Sequence, residues 1–403
     1  MTDRVPRILV TDAGRGSAVA VIRSLGKLGW HVVAAASDPR AAGFRSRHAA
    51  ERVRYPDPLT DPAAMLESLI DACRLKGIDL IVPVTEEVAL PISRSRSRFG
   101  PGTEVALAEP AAFERARDKA HVLELARELD IPVPRTRTVT AADDGPFNPE
   151  LGWPLVVKPA VSRTSEGAGT RVHEVAYAGD ADALTSILEA LPPHTTVLLQ
   201  ELCPGVGVGV ELVTDRGRVI EAFQHRRLRE VPTTGGASSY RESMALDPDL
   251  LAHASALLSA MEWTGVAMVE FKVGPQGPRL MEVNPRLWGS LPLALAAGVD
   301  IPQRMARLHL GLPQSDQPTP YAAGVRARNL TMDLHWAGVV ALGRGRRPAG
   351  PRLRRRDALG VLIDVFRHPT QSDLFALDDI GPQLVEIARL PERLRKLTGR
   401  RDR

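Results

Sequence analysis

Glu270 and Glu282 stand on two apolar segments, with Asn284 two residues beyond the second acid and Arg286 two beyond that. Residues 265–273 and 279–283 read as strands joined by Gly274-Pro275-Gln276-Gly277-Pro278, a hairpin signal. Side chains alternate along a strand, so Glu282, Asn284 and Arg286 share a face, and the return of the hairpin brings Glu270 alongside. Two carboxylates and an amide oxygen form a hard-oxygen donor set suited to Mg²⁺, which keeps waters and takes nucleotide phosphates as its remaining ligands. The flanking residues Met268, Val269, Phe271, Leu280, Met281 and Val283 are apolar. Acids so placed need a metal or a cation beside them. A salt-bridge cluster with Lys272 and Arg279 is the alternative.

The cations are unevenly chosen. Of 52 basic residues only six are lysine: Lys27, Lys76, Lys119, Lys158, Lys272 and Lys396. In a chain that writes Arg almost everywhere, a retained Lys points to a need for the compact ammonium. Lys158 ends an apolar strand that starts at Leu155, and Ser162-Arg163-Thr164-Ser165-Glu166-Gly167-Ala168-Gly169 follows. Small and hydroxyl residues after a strand suit a flexible loop whose N–H groups close on phosphate, although they also suit a plain loop. A second basic stretch, Gln224 to Tyr240, puts His225, Arg226, Arg227 and Arg229 ahead of Pro232-Thr233-Thr234-Gly235-Gly236. Such a stretch can grip a γ-phosphate or orient a carboxylate bidentately, with Arg229 as the preferred cation. His225 suits a general base or a phosphate-facing role. A solvated basic face is the alternative.

The elements that must position these groups begin with a βαβ unit: a strand at 8–11, a turn with Gly14 and Gly16, a helix at 18–28 and a strand at 32–36. A helix at 65–76, a strand at 80–84 and a strand at 105–107 continue the alternation, which implies a parallel, doubly wound sheet. Gly14-x-Gly16 with Asp38 downstream is half of a dinucleotide fingerprint, and Val19 stands where the third small residue belongs. The turn therefore reads as a tight strand-to-helix connection or as a helix N-terminus that receives an anion. Thr85, Glu86 and Glu87 follow a parallel strand, where open α/β sheets bind ligands, and equally suit a helix start. The pattern changes near Pro110, which places a boundary at 112. A helix is expected over 113–129, with Lys119 in its first half.

Lys119, Val156-Val157-Lys158-Pro159, the small-residue loop, Gln200-Glu201, Val269-Glu270-Phe271 and Met281-Glu282-Val283-Asn284-Pro285-Arg286 together resemble the ATP-grasp superfamily. The similarity covers residues 5–312 and is strongest toward the carboxylate-amine ligase and carbamoyl-phosphate-synthase-like branch. Its most specific part is the spacing Glu-x11-Glu-x-Asn-x-Arg. The resemblance implies an α/β fold with a Rossmann-like domain at 1–112. An ATP-grasp domain at 113–312 would follow, of α+β lobes hinged near 200–203.

By the same resemblance Lys119 and Lys158 contact ATP phosphates, Lys158 also lying near the adenine. The loop carrying Ser162, Ser165, Gly167 and Gly169 covers the triphosphate. Gln200, Glu201 and Leu202 join the lobes and meet the adenine edge, and Glu211 binds ribose hydroxyls. Glu270, Glu282 and Asn284 hold one or two Mg²⁺, or Mn²⁺, while Arg286 faces the reacting centre. The implied reaction moves the γ-phosphoryl of ATP onto a carboxylate, and an amine then attacks the acyl phosphate. Activation of bicarbonate, transfer to a thiol or hydroxyl, and a non-catalytic nucleotide-binding regulator are the alternatives. A homodimer is a possible assembly.

Composition bounds the rest. With 403 residues, 44% hydrophobic and 25% charged, the chain is long enough for two or three domains. A net charge of +4 against 48 acidic residues argues against nucleic acid or an anionic membrane as partner. No signal peptide fits, and no stretch approaches the roughly 18–20 apolar residues of a transmembrane helix. Cys73 and Cys203 lack metal-site spacing and read as buried thiols, so a cytoplasmic protein is expected. Residues 313–403, with arginines at 344, 346, 347, 352 and 354–356, read as a solvated linker leading to a small helical appendage.

Overall fold

The computed structural model describes residues 4–142, 151–166, 169–315, 317–345, 353–367 and 370–399. The first unit contains β1 (Arg7–Val10), α1 (Gly16–Lys27), β2 (His31–Ala36), β3 (Glu51–Arg54), α2 (Pro62–Lys76), β4 (Leu80–Val82), α3 (Glu86–Arg94) and β5 (Glu104–Val105). Its strands pair in the order β3-β2-β1-β4-β5, all parallel. Ile8, Leu9, Val32 and Val33 have no exposed surface, as expected for strands covered on both faces. Asp61 caps α2 by accepting from Ala64 N, and Gly77 ends it at φ 57°.

Where one helix was expected over 113–129, two form: α4 (Pro110–Arg117) and α5 (Lys119–Glu128). Asp118 breaks them. Its extended backbone and its carboxylate, which accepts from Ala120 N and His121 N, start α5 afresh. Lys119 thus becomes the first residue of a helix.

The small lobe contains β6 (Thr136–Thr140), β7 (Leu155–Pro159), β8 (Arg163–Glu166), β9 (Gly169–Val172), β10 (Ala176–Ala178), α6 (Ala181–Glu189) and β11 (Thr196–Glu201). An antiparallel sheet runs β10-β7-β11-β6, while β8 and β9 pair only with each other. Within the stretch expected as a loop at 162–169, residues 163–166 and 169 therefore lie in paired strands. The β8–β9 pair docks on the first unit, where Thr170 N donates to Leu59 O at 2.9 Å.

The large lobe has β12 (Val206–Asp215), β13 (Arg218–Val231), β14 (Ala237–Met244), α7 (Pro248–Ala260), β15 (Gly265–Gly274), β16 (Gly277–Asn284), α8 (Leu291–Ala297) and α9 (Ile301–His309). β17 (Arg326–Arg328), α10 (Leu330–Ala341), α11 (Gly360–Arg367), β18 (Thr370–Ser372) and α12 (Gly381–Gly399) follow. One seven-stranded sheet runs β16-β15-β12-β13-β14-β17-β18. The C-terminal segment is thus not an appendage on a linker. Its strands β17 and β18 extend the large sheet, and Arg23, Ser46 and Arg47 of the first unit all bond to Asp379. The hydrophobic pattern beyond residue 370 signals the helix but not these polar ties. Arginines 346, 347 and 352 lie outside the described residues.

Two buried clusters pack the first unit against the large lobe: Leu9, Ile81 and Val105 with Val210, Leu257 and Trp263, and Val10, Ile22 and Val82 with Phe223, Trp288 and Met305. Among the described residues no helix is long and apolar enough to cross a membrane. Both cysteines are free thiols. Cys73 is buried, which pushes its pKa up to about 12, whereas Cys203 is only partly buried.

Candidate active site

The strand register decides which side chains meet. Glu270 pairs directly with Glu282, and Met268 with Asn284. A bulge just after Glu270 leaves Met281 as the extra residue, so both acids point to one face. Across the sheet Glu270 pairs with Gly209, Gly209 with His225, and His225 with Ser243, while Arg227 pairs with Arg241. All these residues share the face that carries the acids.

Glycine makes that face usable. A Cβ on Gly209 would lie 2.5 Å from His225 Cε1 and 3.0 Å from Met268 Sδ, and one on Gly207 would lie 3.0 Å from Arg227 Cδ. Two glycines at alternate positions open a furrow in β12, in which the His225 and Arg227 side chains lie across the neighbouring strand.

Arg227 Nη2 sits 2.5 Å from Glu270 Oε1, and Arg227 also bonds Glu230 and the Gly236 carbonyl. Asn284 Nδ2 donates to Glu270 Oε1 at 2.8 Å. Lys119 Nζ donates to Ser162 Oγ at 2.8 Å and lies 3.5 Å from Glu282 Oε2. Burial pushes the Glu270 carboxyl up, further than Arg227 offsets, and the charge of Glu282 adds to the rise. Burial opposes ionisation of Glu282 as well. Lys119, Lys158, Arg227 and Arg286 together outweigh it and hold that carboxyl below the usual range. Lys158 is lowered by burial and by its cationic neighbours Lys119 and Lys272, against the pull of both acids. The acids therefore answer to Lys119 and Arg227, not to a cluster of Lys272 with Arg279, whose Nη1 donates to the carbonyls of Gln276 and Pro278.

Other expected site residues are placed as follows. Arg286 Nη1 donates to Leu287 O, and its charge acts on Glu282. Gln200 is buried and donates to Thr136 Oγ1. Glu201 holds Arg135 through Nε at 2.7 Å and its backbone N at 2.9 Å. Together with Leu202, Cys203, Lys272 and Arg279 it lines a cavity of ≈ 110 Å³ at the junction of the lobes. Gly169 opens β9; Gly167 and the side chain of Ser165 lie outside the described residues.

Three expectations are corrected. Arg229 is not at the site. The register shifts between Arg227 and Arg229, so a bulge sends Arg229 to the opposite face, over the ring of Tyr240 at 4.3 Å. There it makes a bidentate pair with Asp333 (2.7 and 2.8 Å) and a third bond to Asp364 at 2.6 Å. The active-face cation is Arg227, a neighbour that regular alternation would have put on the same side. Glu211, expected on a ribose, has no exposed surface and lies between His225 and Ser290. The anion beside the start of α1 is the chain's own: Asp373 Cβ lies 3.5 Å from a Cβ placed on Gly16. Glu86 and Glu87 do open α3, and they face Arg117 (3.1 Å) and Arg163 (3.6 Å). The Val-Gly-Val-Gly-Val run at 206–210 was the available signal for the furrow, because glycine at every second strand position marks a close approach.

The candidate site is thus a sheet face with paired acids, an amide and converging cations beside a small antiparallel lobe. A family model described as "ATP-grasp in the biosynthetic pathway with Ter operon" matches residues 194–332. The carbamoyl phosphate synthase large chain of Rubrobacter xylanophilus is 28% identical over 317 residues, 74% of this chain and 28% of that one. The chain thus spans little more than a quarter of this curated relative. Among solved structures, the biotin carboxylase domain of Hydrogenobacter thermophilus 2-oxoglutarate carboxylase, a dimer in complex with MgADP and bicarbonate, aligns with TM-score 0.61 at 18% identity. The alignment covers 81% of this chain and 74% of that one. The L-amino acid ligase of Bacillus licheniformis aligns with TM-score 0.59 at 16% identity over 77% and 75% of the two chains. N5-carboxyaminoimidazole synthetase of Staphylococcus aureus, complexed with ADP, gives 0.59 at 13% over 80% of each. Part of the chain thus matches an ATP-grasp family model, and the fold as a whole is similar to that of ATP-grasp ligases.

Proposed function

We propose that the protein is an ATP-dependent ligase that activates a small-molecule carboxylate as an acyl phosphate and couples it to an amine, releasing ADP and phosphate. The observation that carries this reading is the paired acids Glu270 and Glu282, ringed by Lys119, Lys158, Arg227 and Arg286. Glu270, Glu282 and Asn284 fit Mg²⁺. Two carboxylates opposed across a strand pair, one of them pushed up by burial and by the other, are relieved by a hard cation. When bound, the ion neutralises charge on the phosphates.

Lys119 and Lys158 align the phosphates and Arg227 meets the transferring group. Such fixed cations lower the barrier because they are already oriented. Arg286 faces the oxyanion formed when the amine adds. The cavity of Glu201 and Leu202 receives the adenine edge, and the β8–β9 hairpin covers the phosphates.

The test is ADP release over a panel of carboxylic acids, each with and without a pool of amines. Release that requires both supports the ligase; release with no dependence on either overturns it. The similarity to a carbamoyl phosphate synthase favours bicarbonate as a second reading. ADP release that follows bicarbonate alone would establish it.

A further inference from the structure

On the acid-bearing face, one polar group is built with more support than phosphate binding needs. The His225 ring is 1% exposed and its Nδ1 lies 3.0 Å from Oε1 of Glu211, which has no exposed surface. Ser290 Oγ donates to the same Oε1 at 2.8 Å, fixing the carboxylate from the far side. Among the described residues His225 Nδ1, His225 Nε2 and Glu211 Oε2 are all buried without a hydrogen-bond partner, so the Nδ1–Oε1 approach is a charge contact and not a hydrogen bond. Buried polar atoms left unpaired are costly, so an arrangement that keeps them asks for an occupant. Ser243, opposite His225, is spent elsewhere, donating to Ala322 O and accepting from Val325 N. The charged groups around the ring are Glu211 on β12, Glu270 on β15 and Arg227 on its own strand. The ring fits only because position 209 is glycine.

Resting on the ligase reading above, we infer that His225 is the base of the amine-transfer half-reaction and that Glu211 and Ser290 are its positioning residues. A carboxylate facing Nδ1 favours the tautomer with its proton there and leaves the lone pair on Nε2. The free amine attacks the acyl carbon; the C–N bond forms, the C–O bond to phosphorus breaks, and phosphate leaves with the electron pair. The proton shed by the nitrogen goes to His225 Nε2 and from there to solvent.

The test uses the full chain with MgATP and a pool of amino acids, dicarboxylates and short fatty acids. Amines or hydroxylamine serve as nucleophile, with ADP, amide and hydroxamate measured separately. Hydroxylamine is weakly basic and needs little help to lose its proton. His225→Asn is expected to lower amide formation by about 10²–10⁴-fold while hydroxamate formation persists. Glu211→Gln should act in the same direction with a smaller loss, and Ser290→Thr should restore what Ser290→Ala loses. Equal loss of amide and hydroxamate in Glu211→Gln, with the fold intact by circular dichroism, makes the cluster structural and overturns the inference. So does full amide synthesis by His225→Asn. If His225→Asn does not fold, the product ratio of Glu211→Gln decides. Wild-type protein that yields neither ADP nor hydroxamate from the whole pool overturns the ligase reading itself, which is a distinct failure.

Discussion

The two faces of the seven-stranded sheet both bury charge, and they do so differently. On one face Lys119, Lys158, Arg227 and Arg286 surround Glu270 and Glu282, with Glu230 attached to Arg227 and Glu211 against His225. On the other, Arg229 and Arg328 meet Asp333 and Asp364 and lie over the Tyr240 ring, while Arg226 and Arg326 share Glu242. The Asp333 and Asp364 pairs hold α10 and α11 against the strands. Their carboxylates are bound by Arg229 at 2.6–2.8 Å, whereas the ion pair of Glu282 with Lys119 is 3.5 Å long. How tightly the charges are engaged, more than burial or arginine content, separates the two faces.

This contrast can be broken in several ways. Glu282→Gln should have the largest effect, a fall in kcat of at least ~10²-fold with the melting temperature nearly unchanged. Full turnover in that variant would remove the metal assignment. Arg229→Ala strips a buried charge from Asp333 and should destabilise the protein by about 3–5 kcal/mol, read by denaturant unfolding. Arg227→Gln should instead cut turnover and leave unfolding close to wild type. A reversed pattern in these two variants would exchange the roles of the faces. Lys158→Arg keeps the charge but not the compact ammonium, and an increase of about tenfold in KM for ATP is expected; an unchanged KM means that any cation serves there.

The smallest effect concerns an ion-pair cluster of the first unit, away from both faces. Lys76, then His31 and Arg7, hold the Glu51 carboxyl down to about 2 from its ordinary 4.5. Because the folded value is the lower one, this stabilisation is present above pH 4.5 and is lost as pH falls toward 2. Thermal melts over that range should flatten slightly in Glu51→Gln, with ATP turnover at neutral pH unaffected.

How much was legible depended on range. The acids, Asn284 and Arg286 could be placed together from the chain because a hairpin couples residues close in sequence, and alternation then assigns their face. Lys119 and Lys158 were legible as rare lysines, and the register agrees with neighbours that the chain does not show as adjacent. Arg229 misled because alternation predicts one face for Arg227 and Arg229, and a single bulge reverses it. Glu211 misled because its partners come from β13 and from the loop before α8, 14 residues and 79 residues along the chain.

Local sequence alone determined the parallel first sheet, the β15–β16 hairpin and the common face of its acids, since each rests on short-range periodicity and turn residues. Only the tertiary structure decided which arginine stands beside the acids, that the C-terminal strands complete their sheet, and that Glu211 stands behind His225. Those outcomes depend on register shifts and on contacts between distant segments, and a one-residue slip in a strand exchanges the two faces without altering any local pattern.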